Sequence, residues 1–162
     1  MAVILFDPSY RNLLAPLSTT KALAHFHFGL LSIQERWELL LKQPAAIHTA
    51  PYLQGLYAEA NATLLPADAA AEASLWIDAS VIPDDALITQ IQSLQNGDCL
   101  MDELGLVAGK ASIPYGDFNP SDTSAYFTQA NKVASVQRIR FPWEIMQIND
   151  AMIRKDFIWV TE

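Results

Sequence analysis

The chain has 162 residues, of which 51% are hydrophobic and 17% are charged, a length and composition typical of one globular domain spanning residues 1–162. A net charge of −8, with only ten scattered Lys and Arg residues, excludes the basic stripe that nucleic-acid binding needs. No apolar stretch is long enough to span a membrane, and a single cysteine excludes an internal disulfide, so we expect a cytoplasmic protein.

The first predicted element is a buried strand, Val3–Phe6, because this unbroken apolar run ends at Asp7-Pro8. A long loop follows over residues 7–18, and long ordered loops are more often functional than short ones. Ser32 and Glu35 have the spacing of a capping box, which predicts the start of a helix. That helix has one apolar face and ends before Pro44, and residues 45–49 predict a second short strand.

The rest of the chain continues to alternate between strand and helix patterns. Residues 75–77 predict a central strand, 83–94 a helix that acidic residues open, and 98–108 a β-hairpin. Residues 133–141 predict a strand, 143–155 a helix and 157–160 a last strand, while the alanine-rich stretch 67–73 predicts a surface connection or a short helix. The four tryptophans lie in apolar-patterned elements and are predicted core residues: Trp37, Trp76, Trp143 and Trp159. This alternation predicts an α/β fold with a mostly parallel sheet flanked by helices.

The loop after the first strand holds the best candidates for binding an anion. Open α/β sheets place ligands at the carboxyl ends of strands. Arg11 and Lys21 are cations in the segment 7–21, and between them Ser18, Thr19 and Thr20 offer hydroxyl donors. This set is suited to phosphate, with Arg11 as a bidentate donor and Lys21 as a point charge. The alternative is a solvated loop whose hydroxyls cap turns.

Two further groups are candidates for metal binding. Asp78 follows the predicted strand at 75–77, where a carboxylate can hold Mg²⁺ together with substrate phosphates, although an aspartate that merely begins a turn has the same pattern. His25 and His27 lie on one face if the chain is extended, and with His48 they raise the possibility of a zinc-dependent hydrolase. We predict that the histidines are ordinary surface or core residues.

Taken in order, several motifs resemble the N-terminal domain of bacterial sugar-1-phosphate nucleotidyltransferases. They are RNLL at 11–14, PLSTTK at 16–21, Gly29, IQERW at 33–37, IDASVIPD at 77–84, GDCL at 97–100 and FPWE at 141–144. The closest resemblance is to a Bacteroidetes-type group in which this domain precedes a left-handed β-helix acyltransferase domain. The hexapeptide repeats of that second domain are not in these 162 residues, which fits either one domain of a longer product or a short protein.

The resemblance implies a truncated, Rossmann-like nucleotide-diphospho-sugar transferase fold. It implies a reaction between a nucleoside triphosphate and a sugar 1-phosphate, with Mg²⁺ as cofactor and release of pyrophosphate. By position, phosphate-binding roles would fall to Arg11 and Lys21, with the hydroxyls between them beside the nucleotide. The family's metal-binding position falls on residue 80, and Asp78, two residues earlier, is the carboxylate that would take the metal-binding role instead. It leaves open a homo-oligomer.

The sequence departs from the family pattern at several of these positions. Asp7-Pro8-Ser9-Tyr10 stands in place of a glycine-rich phosphate loop, and His27 stands where an arginine is expected. Ser80 stands where active relatives carry a metal-binding aspartate, with Asp78 two residues earlier. We therefore expect weak or no activity of this domain alone. The alternative function is a non-catalytic module that retains the fold and acts through oligomerisation or protein contacts.

Overall fold

The structure of the protein, a computed structural model, describes residues 1–65, 72–134 and 136–161. The helices are α1 (Ile33–Leu41), α2 (Pro51–Gln54), α3 (Ala58–Leu64), α4 (Asp85–Gln92) and α5 (Pro142–Thr161). The strands are β1 (Val3–Phe6), β2 (His27–Phe28), β3 (Leu31–Ser32), β4 (Ala45–His48), β5 (Ser74–Asp78), β6 (Asp98–Asp102), β7 (Gly105–Ala111) and β8 (Gln129–Lys132). Of the alanine-rich stretch 67–73, residues 67–71 lie outside the described residues.

Six strands form the main sheet, in the order β4-β1-β5-β7-β6-β8. Strand β1 pairs in parallel with both β4 and β5, which confirms the prediction that β1 and β5 are neighbouring buried strands. The predicted hairpin is β6–β7, which joins the sheet through an antiparallel pairing of β7 with β5, and β8 runs parallel to β6. Three of the five pairings are thus parallel, and helices flank the sheet.

The core lies on both faces of this sheet. Successive side chains of a strand point to opposite faces. Val3 and Leu5 accordingly pack into one cluster with apolar side chains of α1 and α4, while Ile4 and Phe6 pack into the other with Trp76. Because β1 is buried on both faces, the loop that follows it is held on a rigid support.

The predicted caps set the ends of two helices. The Ser32 hydroxyl accepts a hydrogen bond from the Glu35 N–H at 3.2 Å, and the Glu35 carboxylate accepts one from the Ser32 N–H at 2.6 Å. Asp84 caps α4 in the same way, with its carboxylate accepting from the Leu87 N–H at 2.7 Å. These contacts confirm the capping box and the acidic helix start.

Residues 133–141 do not form the predicted strand. Within the described part of this stretch, the β-pairing is one isolated bridge between Val81 and Arg138. The apolar residues that suggested a strand, such as Ile139, pack on the core from an irregular segment. The strand lies earlier, at β8, where every residue is exposed and polar residues predominate, so no hydrophobic alternation marked it.

The prediction of a last strand at 157–160 is also wrong, because α5 continues to Thr161. The core-facing positions of α5 recur at helical spacing through Met152, Asp156 and Trp159, and the buried Asp156 interrupted the apolar pattern on which the prediction depended. Trp37 and Trp76 are fully buried as predicted and Trp159 is half-buried, but Trp143 is 57% exposed on α5. No helix in the described ranges is long and apolar enough to cross a membrane.

A buried ion pair anchors α5 to α1. The Arg36 guanidinium donates to the two carboxylate oxygens of Asp156 at 2.8 and 2.7 Å, and both side chains have no exposed surface. The Leu30 N–H donates to the same carboxylate at 2.8 Å. Gly29 lies directly beside it with φ +69°, and a Cβ there would lie 2.4 Å from an Asp156 oxygen. This close approach explains why the position requires glycine.

Candidate functional site

The carboxyl ends of three parallel strands meet at one edge of the sheet. Phe6, the last residue of β1, is in register with His48 of β4 on one side and with Asp78 of β5 on the other. The chain leaves β1 at Asp7 and β4 at Thr49, so polar side chains gather where these strands end. In open α/β sheets this edge is the usual place for a ligand.

Asp7 organises this edge from within. Its carboxylate, 3% exposed, accepts hydrogen bonds from the Leu23 N–H at 2.9 Å, the Thr49 hydroxyl at 2.5 Å and Arg11 Nε at 2.9 Å. Burial raises the pKa of Asp7, while Thr49, the Leu23 N–H and Arg11 act in the opposite direction. The carboxylate therefore joins three segments of the chain and orients the guanidinium of Arg11.

Arg11 is a nearly buried cation whose three guanidinium nitrogens each donate to a protein acceptor. Beside its bond to Asp7, Nη1 donates to the Tyr52 hydroxyl at 3.1 Å and Nη2 donates to the Ser18 carbonyl oxygen. The guanidinium also lies 5.8 Å from the centre of the Tyr52 ring. These contacts hold a positive charge in the wall of a cavity.

The cavity has a volume of about 740 Å³, within the range of small-molecule sites. Its lining includes the polar group Asp7, Arg11, Thr49 and Tyr52 and an aromatic group formed by His48, Tyr115 and Phe118, which we call the aromatic wall. Trp76 stacks behind Phe118 with the ring centres 4.1 Å apart, and His48 meets Phe118 edge-on at 5.5 Å. The arrangement therefore combines a fixed cation with an aromatic wall.

His48 is the unusual member of the aromatic wall. Its Nδ1 is buried and has no hydrogen-bond partner among the described residues. Burial lowers the pKa of His48 from 6.5 to about 4, so the imidazole is neutral at pH 7. A neutral imidazole can offer either a donor or an acceptor to a ligand in the cavity.

We expect His48 to make the protein less stable in mild acid. Its pKa is lower in the folded than in the unfolded chain, so between about pH 6.5 and 4 the unfolded chain binds more protons and unfolding is favoured as pH falls. Replacement by phenylalanine keeps the ring contacts and removes the titration. Thermal melts of His48→Phe and wild type should therefore converge above pH 7, with wild type losing more stability on acidification. Parallel pH profiles would contradict the prediction.

The structure brings some of the predicted binding residues together and separates others. Arg11 and Ser18 meet, but through the backbone carbonyl of Ser18, whose side chain is buried. The Thr19 hydroxyl donates to the Pro16 carbonyl oxygen, and Thr20 is exposed at the end of the same turn. Lys21 lines a separate depression, with its Nζ 5.7 Å from the centre of the Phe26 ring.

The three histidines also lie in two different places. His25 and His27 line the same depression as Lys21, while His48 lines the main cavity. No group of three or more His, Cys, Asp or Glu side chains in the described ranges is placed to hold a metal ion. The arrangement offers no support for a hydrolase built on the histidines.

Asp78 lies in a buried network beside the main cavity. Its carboxylate accepts hydrogen bonds from Arg138 Nη1, from the Tyr10 hydroxyl at 3.2 Å and from the Ser80 N–H at 2.7 Å. Arg138 also donates to both carboxylate oxygens of Asp102, each at 2.9 Å. The Tyr10 and Ser80 hydroxyls lie 2.7 Å apart. One guanidinium thus serves two carboxylates.

This network bears directly on the Mg²⁺ that the family resemblance implies. Mg²⁺ binds carboxylate oxygens at about 2.0–2.1 Å in near-octahedral geometry. One carboxylate oxygen of Asp78 accepts from Arg138 and Tyr10 and the other accepts from the Ser80 N–H, so a metal ion bound at the first oxygen would have to displace Arg138. As they stand, the residues around Asp78 fit a guanidinium and do not fit a Mg²⁺ site.

Sequence reasoning missed three residues that shape this edge. Tyr52 is the second residue of the one-turn helix α2, Tyr10 lies in the long loop, and Arg138 lies in a segment predicted to be a strand. Tyr52 reaches Arg11 across 41 positions of the chain, Tyr10 reaches Asp78 across 68 and Arg138 reaches Asp102 across 36, so no local spacing could reveal the contacts. The one local signal was the spacing of Asp7 and Arg11, an acidic and a basic residue four positions apart in the loop.

Comparisons with known proteins bear on the family and the fold of the chain. The sequence model of a family described as sugar nucleotidyl transferase matches residues 3–162. A candidate glucose-1-phosphate thymidylyltransferase from Bacillus anthracis, solved with sucrose, has a TM-score of 0.54 at 11% identity, covering 94% of this chain and 95% of its own. A homologue of a Mycobacterium tuberculosis protein, from Mycobacterium sp. strain JC1, has a TM-score of 0.48 at 10% identity, with coverages of 95% and 97%. At such identity the Bacillus structure shows the fold alone, and it confirms the predicted nucleotidyltransferase-like fold. No curated protein matches the sequence.

Proposed function

We propose a function from one premise, that this chain belongs to the sugar nucleotidyl transferase family. The proposed reaction joins a nucleoside triphosphate to a sugar 1-phosphate. A phosphate oxygen of the sugar forms a bond to the α-phosphorus, the bond from that phosphorus to the β-phosphate oxygen breaks, and pyrophosphate leaves. The observation that supports it best is the cavity of about 740 Å³ at the strand ends, with Arg11 in its wall.

The aromatic wall suits the nucleoside. Aromatic side chains can stack on any of the nucleotide bases, because every base has a π-face. Tyr52, which is 64% exposed, lines the cavity together with Tyr115 and Phe118. The neutral His48 lines the same cavity, and its buried Nδ1 has no hydrogen-bond partner among the described residues. We propose that the base enters between the rings.

Arg11 is suited to the phosphates. Asp7, Tyr52 and the Ser18 carbonyl orient the guanidinium but use only one N–H on each nitrogen, and the terminal nitrogens each carry another N–H. Because the guanidinium is already held in place, it loses little further conformational entropy when it binds phosphate oxygens. Lys21, Thr19 and Thr20 remain predicted contacts on the outside of the loop, where they can approach the distal phosphates only if the loop moves.

The sugar phosphate is best accommodated next to this cavity. A second cavity of about 200 Å³ lies against Tyr10 and Asp78, and it shares Pro8, Ser9, Pro120 and Ser121 with the first. Adjoining sites are what a transfer between two substrates requires, because the reacting oxygen and phosphorus must come within contact distance. We propose that transfer takes place at the shared boundary.

We further propose that transfer by this chain alone is slow. Negative charge accumulates on the α-phosphate during transfer, Ser80 occupies the family's metal-binding position, and Asp78, two residues earlier, is paired with Arg138. We assign no step to Mg²⁺ for that reason. A triphosphate substrate and the single cysteine, Cys99, favour a cytoplasmic location.

We expect cavity-filling at Gly116 to abolish nucleotide binding. Gly116 lines the main cavity, and a side chain there would meet open space rather than protein atoms. Gly116→Phe should therefore fold normally but lose the thermal shift that wild type shows with nucleoside triphosphates at millimolar concentration. Arg11→Lys, which keeps the charge but loses the fork, should weaken binding by about tenfold or more.

The matched control is Gly55→Phe. A side chain at Gly55 also meets open space, but Gly55 does not line the cavity, so its nucleotide response should equal that of wild type. Pyrophosphate release should be measured in parallel with a panel of sugar 1-phosphates. A wild-type chain that shows no thermal shift with any nucleoside triphosphate would contradict the nucleotide site. A Gly116→Phe variant that binds as tightly as wild type would contradict its location.

A further inference from the structure

Helix α5 presents an apolar stripe to solvent on the side away from the core. The stripe consists of Trp143, Met146, Ile153, Phe157 and Val160, which are between 39% and 81% exposed. An adjoining face of the helix carries the residues that pack on the domain, such as Met152 and Asp156. One helix thus has two apolar faces, and the domain covers only one of them.

The stripe has the spacing of a coiled-coil seam. With Asp150 included, its members recur at alternating intervals of three and four residues over nearly the whole length of the helix. This is the heptad pattern of residues that face a partner helix. Ordinary exposed apolar residues are scattered singly, whereas a continuous seam on a helix of about 30 Å indicates an interaction surface.

The order of residues along the seam favours a second copy as the partner. If two α5 helices pack antiparallel around a two-fold axis between residues 151 and 152, Trp143 lies opposite Val160 and Met146 lies opposite Phe157. Each apolar side chain of the outer layers then packs against an apolar side chain of the partner helix. The only polar member, Asp150, lies opposite Ile153 in the central layers.

The charges next to the axis are complementary in this arrangement. Asp150 and Arg154 form an ion pair within α5 at 3.1 Å, and both side chains are more than three-quarters exposed. In the antiparallel pair, Asp150 of each helix lies close to Arg154 of the other, so the same charges can pair across the axis. In a parallel pair the two Asp150 carboxylates would instead face each other, which costs free energy.

We propose that α5 is a homodimerisation helix, which packs antiparallel against α5 of a second copy through this seam. The proposal does not depend on the nucleotide site, which lies at the strand ends. Because two helices bury less area than a standard protein interface, we expect a reversible dimer with a dissociation constant in the micromolar range.

Sedimentation equilibrium on the purified chain tests the proposal. Wild type should approach twice the mass of one chain at high concentration, and Met146→Glu should weaken dimerisation by at least about tenfold because it places a charge in the seam. The matched control is Leu56→Glu, at an apolar residue that is 71% exposed on another part of the surface. Both substitutions are at exposed positions, so neither should change the melting temperature of the monomer.

Two further variants test the orientation. Asp150→Arg alone should weaken the dimer, because it brings two arginines together, and the added Arg154→Asp should restore it. Under oxidation, a chain with both Met146→Cys and Phe157→Cys should cross-link to a dimer, whereas each single cysteine should not, because identical residues at these positions lie roughly 16 Å apart along an antiparallel pair. A wild-type chain that stays monomeric at several hundred micromolar, or a single cysteine that cross-links as well as the pair, would overturn the proposal.

Discussion

Replacing Asp156 by alanine is expected to lower the free energy of unfolding by about 3–5 kcal/mol, because it leaves a fully buried guanidinium without its counter-charge. Arg36 has no exposed surface, and Asp156 supplies the two carboxylate oxygens that it contacts, with the Phe28 carbonyl oxygen as its other acceptor. The same carboxylate accepts from the Leu30 N–H, so the substitution also leaves the β2–β3 turn without an acceptor. Urea denaturation at neutral pH measures the loss.

The matched control for this prediction is Asp150→Ala. Asp150 is also an aspartate on α5 that pairs with an arginine, but its side chain is 81% exposed, so its loss should not change the unfolding midpoint measurably for the monomer. A double variant, Arg36→Met with Asp156→Leu, should recover much of the stability, because it removes both buried charges together. If Asp156→Ala unfolds at the same urea concentration as wild type, the pair does not anchor α5.

Replacing Arg138 by methionine is expected to have the second large effect, again about 3–5 kcal/mol at neutral pH. The guanidinium serves both Asp78 and Asp102, and all three side chains are almost completely buried. Burial raises the pKa of Asp78, and Arg138 acts in the opposite direction, so its removal raises that pKa further. The folded variant then binds a proton at Asp78 more readily than the unfolded chain does.

Because Arg138→Met raises the pKa of Asp78, its loss of stability should depend on pH. Since the folded variant holds more protons than the unfolded chain, its free energy of unfolding rises as pH falls from neutral toward the raised pKa of Asp78. The deficit relative to wild type should therefore be largest at neutral pH and should narrow on acidification. A deficit that is the same at pH 7 and pH 5 would show that lost packing of the arginine, and not its charge, explains the effect.

The same variant tests whether Arg138 replaces a metal ion. Without the guanidinium, Asp78 and Asp102 form a pair of buried carboxylates, a set that hard divalent cations favour. We expect Mg²⁺ or Mn²⁺ to raise the melting temperature of Arg138→Met and to leave that of wild type unchanged. A metal-dependent stabilisation of wild type that disappears in Asp78→Ala would instead assign the metal to Asp78, the carboxylate that its place after the central strand made a candidate metal ligand.

Much of the fold was predictable because its determinants are local. The unbroken apolar runs of β1 and β5 identify strands that are buried on both faces, and the Ser32–Glu35 capping box places the start of α1 within one turn. The resemblance through the order of short motifs extended this to the family, and the match over residues 3–162 agrees with it. Local patterns could not distinguish an irregular buried segment from a strand at 133–141, because both alternate apolar residues with polar ones.

Identification of the candidate site needed both the sequence and the tertiary structure. Composition and position in the chain were enough to select Arg11 as a cation in the loop after the first strand, and the structure places it in the cavity wall. Only the tertiary structure decided that Lys21 lies in another depression and that Asp78 is paired with Arg138, 60 positions away. The physical reason is that a charge acquires its partner through the packing of distant segments. Sequence by itself determined which residues carry charge and where the apolar strand β1 ends, whereas burial and long-range pairing decided whether each charge is free for a ligand.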